Sequence, residues 1–68
     1  MEKIEIRTES INLDQLLKWA NIAATGGEAK HLIQSGEVLI NGIVETRRGK
    51  KVYRNDVVTV SGQSFKVV

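Results

Sequence analysis

Hydrophobic residues follow two different periods along the 68-residue chain. In residues 3–7 charged and apolar side chains alternate, which is typical of a half-buried strand. Between Leu13 and Ala20 the apolar positions recur at i, i+3, i+4 and i+7, which predicts an amphipathic helix. Asn12 and Gln15 are expected to form a capping box at the start of this helix, and Asn21 is expected to end it.

A second helix is predicted to begin after Thr25, because Thr25 and Glu28 have capping-box spacing. Gly36 stands where the C-terminal cap of this helix belongs. The period then changes to two over residues 38–44, which enclose Asn41-Gly42, the residue pair that a type I′ turn prefers. The pattern therefore predicts a second helix followed by a β-hairpin.

The remaining segments complete a small α+β fold. Residues 47–54 are predicted to form a loop, and residues 56–60 and 65–68 are predicted to form strands joined around Ser61-Gly62. The expected order is β-α-α-β-β-β, with two short antiparallel helices packed on a small twisted, antiparallel-rich sheet. The length predicts a single domain over residues 1–68.

Composition narrows the class of protein. The chain has no cysteine and one histidine, so we expect neither disulfides nor a metal site, and the reducing cytoplasm is the expected location. The N-terminal alternation is unlike a signal peptide, and no membrane segment is expected. The carboxylates are scattered and no nucleophile–base pair is evident, so we expect no enzyme activity, no cofactor and no small-molecule substrate.

The charge is distributed unevenly although the net charge is only +2. Residues 1–46 carry four Lys/Arg and seven Asp/Glu, whereas residues 47–68 carry six Lys/Arg and only Asp56. Five of these six bases form a block without an acid, and such a block indicates a polyanionic partner. The alternative is an ordinary solvated loop. The bases of the block are Arg47, Arg48, Lys50, Lys51 and Arg54.

Two glycines, Gly26 and Gly27, stand in the first turn of the second helix, where they lower helix propensity. They would let a phosphate approach the free first-turn amides, with Lys30 and His31 on the same side of the helix. Alternatively, they allow a tight interhelical turn with close backbone packing. Both explanations fit the sequence.

The remaining aromatic and histidine residues are ambiguous. His31 has no second metal ligand or catalytic partner nearby, so surface hydrogen bonding is the expected role. Trp19 is expected to pack at the edge of the core, with base stacking as the alternative. Tyr53 lies within the basic block, where it suits RNA, although Val52 and Tyr53 could instead anchor the loop to the sheet.

The residues from Leu13 to Leu17 and from Glu28 to Gly42 resemble the S4 (S-four) RNA-binding domain, also called the αL motif. The similarity covers about residues 11–60, and the closing run through Asn41-Gly42 is the most specific part. Thr25 to Lys30 and Arg47 to Lys51 are similar to the short, free-standing bacterial members. The resemblance implies two helices on a small sheet and RNA bound against the second helix and the following loop.

Many members of that family have a serine-arginine pair where this chain has Thr25-Gly26. The Thr25 hydroxyl, the glycine amides and Lys30 are expected to replace that arginine, and the bases from Arg47 to Arg54 are expected to compensate for its loss. We therefore expect non-catalytic binding of structured RNA, ribosomal or transfer RNA, with ribosomal particles as a further partner. A ribosome-associated protein-interaction module and a duplex-DNA-binding protein are the alternatives. The expected RNA-binding residues are Thr25, Gly26, Gly27, Lys30, His31, Arg47, Arg48, Lys50, Lys51 and Arg54.

Overall fold

A computed structural model describes all residues, 1–68. The chain contains two α-helices and seven short β-strands, an α+β fold as the hydrophobic pattern predicts. The elements in chain order are β1 (Glu2–Ile4), β2 (Ser10–Asn12), α1 (Leu13–Trp19), α2 (Gly26–Gln34), β3 (Val38–Ile40), β4 (Ile43–Val44), β5 (Lys51–Tyr53), β6 (Val57–Val60) and β7 (Gln63–Val67).

The strands form two sheets. Five strands lie in the order β1-β7-β6-β3-β4, in which β1 pairs with β7 in parallel and the other neighbours are antiparallel. The second sheet consists of β2 and β5, paired antiparallel. Fifteen buried residues, all apolar, form one core cluster to which both helices and both sheets contribute.

The expected turn and cap residues around α2 and the β3–β4 hairpin are confirmed. Thr25 Oγ1 accepts a hydrogen bond from the Glu28 amide at 3.1 Å, and Gly36 follows α2 at φ 83°. Asn41 and Gly42 have φ values of 52° and 83°, as a type I′ turn requires. These local signals are reliable because short polar side chains and glycine have strong conformational preferences.

The capping box predicted for α1 is wrong. The Asn12 side chain makes no capping hydrogen bond. Instead, the Leu13 amide donates to the Lys50 carbonyl oxygen at 2.9 Å and the Asp14 amide to that of Arg48 at 3.1 Å. Asn12 is the last residue of β2 and pairs with Lys51 of β5, so strand pairing brings these carbonyls to the start of the helix.

The predicted loop over residues 47–54 is also partly wrong, because residues 51–53 form strand β5. Val52 is fully buried, and it pairs with Ile11 across the two-stranded sheet. Strands β2 and β5 were both absent from the expected order, since three residues are too few to show a period-two pattern. The irregular part of the basic segment is therefore short.

The helices are too short to cross a membrane. Helix α1 has seven residues and α2 has nine, well below the length and apolar character of a bilayer span.

Candidate nucleic-acid interface

The basic loop, residues 45–50, is fixed by its own backbone. At its start the Glu45 amide donates to the Val38 carbonyl oxygen at 2.9 Å. At its end the carbonyl oxygens of Arg48 and Lys50 accept the two amide hydrogen bonds from α1. These contacts use main-chain atoms alone, and the side chains of the loop bases remain exposed. The fold thus positions a group of exposed cations, of which only Arg47 is paired with an acid.

Three of the bases, Arg48, Lys50 and Lys51, are exposed and form no ion pair. Arg47 differs, because its Nε lies 3.0 Å from Glu45 Oε2 and its Nη2 donates to Glu45 Oε1 at 3.1 Å. This is the only ion pair of the structure within 4.0 Å. The hydrogen bonds from the Arg47 side chain and amide lower the pKa of Glu45 to about 2, and the pKa of Arg47 is raised. The carboxylate therefore offsets much of the Arg47 charge.

Arg54 stands apart from the loop bases. It follows strand β5, and its Nη2 donates to the carbonyl oxygen of Ile6 at 3.3 Å. The three-residue strand separates it from Lys50 by about 10 to 13 Å. The structure therefore groups Arg47, Arg48, Lys50 and Lys51 but directs Arg54 towards the segment after β1.

The amide end of α2 is formed by Thr25, Gly26 and Gly27, all exposed. A β-carbon on Gly26 would meet nothing within 4 Å, and one on Gly27 would meet only Thr25 Oγ1 at 3.9 Å. Neither glycine has a positive φ. Neither close packing nor a positive φ therefore requires glycine at these two positions, and the first-turn amides are open to approach.

The exposed face of α2 continues from this amide end. Lys30 and His31 are exposed, and neither side chain has a hydrogen-bond or ion-pair partner within the protein. Glu28 and Leu32 line a concavity with Ser61, and His31, three residues after Glu28, borders this acidic flank. Helical geometry therefore turns Lys30 away from the acidic flank.

Helix α2 connects the two groups of expected contacts. Its C-terminal end lies beside β4, since a β-carbon on Gly36 would be 4.0 Å from Val44 Cγ1. Strand β4 leads directly into the basic loop. The glycines lie at the opposite end of α2, about 12 Å away at 1.5 Å per residue. The expected site is thus two separate groups with Lys30 and His31 between them along the helix.

Two aromatic side chains are half-exposed. Trp19 is 52% exposed, and its Nε1 donates to the Glu5 carbonyl oxygen at 2.7 Å. The guanidinium carbon of Arg7 lies 5.7 Å from the centre of the Trp19 ring. Tyr53 is also 52% exposed, so Val52 anchors β5 to the core and the Tyr53 ring does not. Ile43 is exposed and lies near Tyr53, but it was not among the expected site residues. Nothing in the sequence of the hairpin indicates that this isoleucine lies outside the core.

The possible donor groups for a metal are dispersed. No group of three or more histidine, cysteine, aspartate or glutamate side chains is arranged to hold a metal ion.

Sequence comparisons place these features in a family. The S4 domain family model matches residues 4–68. The chain is 47% identical over 66 residues to "Probable ribosome maturation protein RlbA" of Bacillus subtilis (strain 168), covering 96% of this chain and 93% of RlbA. It is 36% identical over 58 residues to YbcJ of Escherichia coli (strain K12), covering 85% and 83% of the two chains.

Solved structures give the same result for the fold. The solution structure of YbcJ, described as an αL motif involved in RNA binding, superposes with a TM-score of 0.75 at 32% identity, covering all of this chain and 87% of YbcJ. The 30S ribosomal protein S4e of Thermoplasma acidophilum has a TM-score of 0.78 at 22% identity, covering 91% of this chain and 33% of that protein, and supports the fold alone. The chain belongs to the S4 domain family.

Proposed function

We propose that this protein binds structured RNA, ribosomal or transfer RNA, without catalysing a reaction. One observation carries the proposal: Arg48, Lys50 and Lys51 are exposed, form no ion pair and lie close together in the loop whose backbone caps α1 and at the start of β5. Because the backbone that carries these cations is already fixed, binding a phosphate has to order only their side chains. Membership in the S4 family and the RNA-binding description of YbcJ support RNA as the polyanion.

The α2 face extends this contact surface. Lys30 and His31 are free to contact the RNA backbone, and the amides of Gly26 and Gly27 have no partner within the helix. A phosphate at this end would accept hydrogen bonds from those amides and interact favourably with the helix dipole. Arg47 and Arg54 are proposed as weaker contacts, because each guanidinium already donates to an intramolecular acceptor.

The salt dependence of RNA binding tests the loop contacts. Each neutralised phosphate contributes about 0.7 to 0.9 to the slope of log affinity against log salt concentration. Arg48→Ala should flatten this slope by close to one unit in filter binding, whereas Arg47→Ala should flatten it by clearly less. An unchanged slope in Arg48→Ala would remove that residue from the interface. Competition by duplex DNA at matched salt tests whether the site prefers RNA.

A pair of substitutions tests the amide end of α2. The fold does not require glycine at position 27, so Gly27→Glu and Gly27→Gln should both fold. Both side chains add similar bulk, but only the carboxylate repels a phosphate. We expect Gly27→Glu to bind RNA several-fold more weakly than Gly27→Gln, since like charges close together are unfavourable. Equal affinities of the two variants would exclude a phosphate at this position.

A further inference from the structure

A groove of about 450 Å³ lies between the β3–β4 hairpin and strand β5. Ile43 and Tyr53 form its apolar part, and Arg47, Lys50 and Lys51 form its basic part. Lys51 and Tyr53 lie two residues apart on β5, on the face opposite the buried Val52. Strand geometry therefore presents an aromatic ring and an ammonium group side by side to the same groove.

The apolar part of the groove is uncovered. Ile43 is 73% exposed and Tyr53 is 52% exposed, although both belong to strands. The Tyr53 hydroxyl has no hydrogen-bond partner, whereas its backbone amide donates to Asp56 Oδ2 at 2.8 Å. The backbone of Tyr53 is fixed while its ring contributes little to the core. An aromatic ring held in this way is a suitable platform for a planar ligand.

The two carboxylates of the groove are already engaged. Glu45 is bound to Arg47, and Asp56 accepts hydrogen bonds from Asn41 Nδ2 at 3.0 Å and from the Tyr53 amide. These donors reduce the repulsion that the carboxylates would exert on an anion. Lys50 and Lys51 have no such partner. The groove therefore carries three cations against two carboxylates, and its net charge is positive.

We propose that an unpaired nucleobase of the bound RNA enters this groove and stacks on Tyr53, with its flanking phosphates on Lys50 and Lys51. The inference deepens the proposed RNA-binding function and rests on it. A nucleobase supplies a flat π-face, and its backbone supplies the anions that the two lysines complement. Bases within a duplex stack on each other and leave no free face, so the ligand is a bulged, looped or terminal nucleotide.

Affinity for two RNA hairpins tests this inference. The hairpins are identical except that one carries a single unpaired nucleotide in its stem. The wild-type protein should bind the bulged hairpin on the order of tenfold more tightly, which corresponds to about 1.4 kcal/mol. Tyr53→Phe should keep this preference, because the phenyl ring still stacks. Tyr53→Ala should lose it, and so should Tyr53→Leu, which keeps apolar volume but lacks a π-face.

The outcomes separate this inference from the proposed function. Binding of both hairpins by the wild type with equal affinity, or a bulge preference that survives in Tyr53→Ala, overturns base stacking and leaves RNA binding through the basic loop intact. Absence of salt-dependent binding to either hairpin contradicts the proposed function itself. All Tyr53 variants should unfold at a similar temperature, because the ring is half-exposed and unpartnered.

Photo-crosslinking provides a second, direct measurement. A 4-thiouridine at the unpaired position should crosslink to the peptide that contains Tyr53, and the same label within the paired stem should not. A crosslink from the unpaired position only to the peptide that contains Trp19 would overturn the assignment of the groove.

Discussion

Two regions of this molecule combine an exposed aromatic ring with arginine or lysine, yet they differ in how the cations are used. Near Trp19 the aromatic residue and the cation both have a partner. The indole nitrogen donates to the Glu5 carbonyl oxygen, and the Arg7 guanidinium lies over the Trp19 ring. At Tyr53 the ring and the neighbouring Lys50 and Lys51 have no side-chain partner. An aromatic residue and a cation thus stabilise the fold in one region, whereas in the other they have no side-chain partner.

Backbone contacts explain the difference. In the basic loop main-chain carbonyls make the contacts to the amides of α1, and the side chains of Arg48 and Lys50 take no part in holding the loop. Around Trp19 a side chain ties the segment after β1 to the end of α1. Arg54 likewise makes a structural side-chain contact, since its guanidinium donates to the Ile6 carbonyl oxygen. Residue type alone does not distinguish a binding cation from a structural one.

The largest expected effect is on RNA binding by the loop. Replacing Arg48, Lys50 and Lys51 together by alanine should flatten the log–log salt slope by about 2.1 to 2.7 units, since three phosphate contacts are lost. The matched control is Lys3→Ala/Lys18→Ala/Lys66→Ala, which removes three exposed positive charges that lie outside the basic loop and form no ion pair. Filter binding between low and moderate salt measures both slopes. An equal flattening in the control would show that charge number, and not its placement, determines binding.

The two aromatic residues should differ in their effect on stability. Trp19→Phe removes the indole N–H that donates to Glu5, so it should lower the free energy of unfolding by about 1 kcal/mol. Tyr53→Phe removes a hydroxyl without a partner and should change it by less than about 0.5 kcal/mol. Urea denaturation followed by circular dichroism compares the two variants with the wild type. A larger loss in Tyr53→Phe than in Trp19→Phe would reverse the assignment of the two regions.

Arg47 is the one base of the loop that is paired with an acid, and Glu45→Gln should remove that ion pair. The substitution keeps a hydrogen-bond acceptor but deletes the negative charge that faces Arg47. We expect RNA affinity to rise a few-fold and the salt slope to steepen by up to about one unit, because Arg47 becomes available to a phosphate. The double variant Glu45→Gln/Arg47→Ala should lose this gain. A gain that persists without Arg47 would be a general effect of net charge.

The smallest effect concerns the titration of Glu45. The pKa of its carboxyl group is lowered from an ordinary value of 4.5 to about 2 by the Arg47 hydrogen bonds. Because the folded-state pKa is depressed, the pair stabilises the protein above pH 4.5, and this contribution is lost as the pH falls towards 2. The effect on stability is small because Arg47 is exposed to solvent.

Carbon-detected NMR of the Glu45 carboxyl group measures this pKa directly. In Arg47→Ala the value should rise towards 4.5, although the amide of residue 47 continues to donate to Glu45 Oε2. Titration of Glu45 near 4.5 in the wild type would contradict the ion pair.

Much of the fold was predictable from local patterns. The leucine spacing of α1, the Thr25 cap of α2 and the Asn41-Gly42 turn each depend on residues close together in the chain, and each is confirmed. The cap of α1 was not predictable, because its acceptors come from residues 48 and 50, far away in sequence. Strands β2 and β5 were missed for the same reason, since each is stabilised by the other and neither shows a pattern alone.

The candidate site was also only partly predictable from the sequence. Charge density in the sequence was enough to single out the basic segment, and family resemblance indicated RNA. Neither could show that Glu45 engages Arg47, that Arg54 contacts the Ile6 carbonyl, or that Ile43 and Tyr53 share a groove. These relations depend on which side chains meet across strands that are separated in sequence.

The sequence by itself determined the helices, the turns, the family and the location of the excess positive charge. Only the tertiary structure decided which of those charges are free. The physical reason is range: propensities, caps and turns act over a few residues, whereas the partner of a side chain is set by long-range strand pairing. In this protein the pairing of β2 with β5 brings the loop carbonyls to α1, and it thereby leaves Arg48, Lys50 and Lys51 available to a ligand.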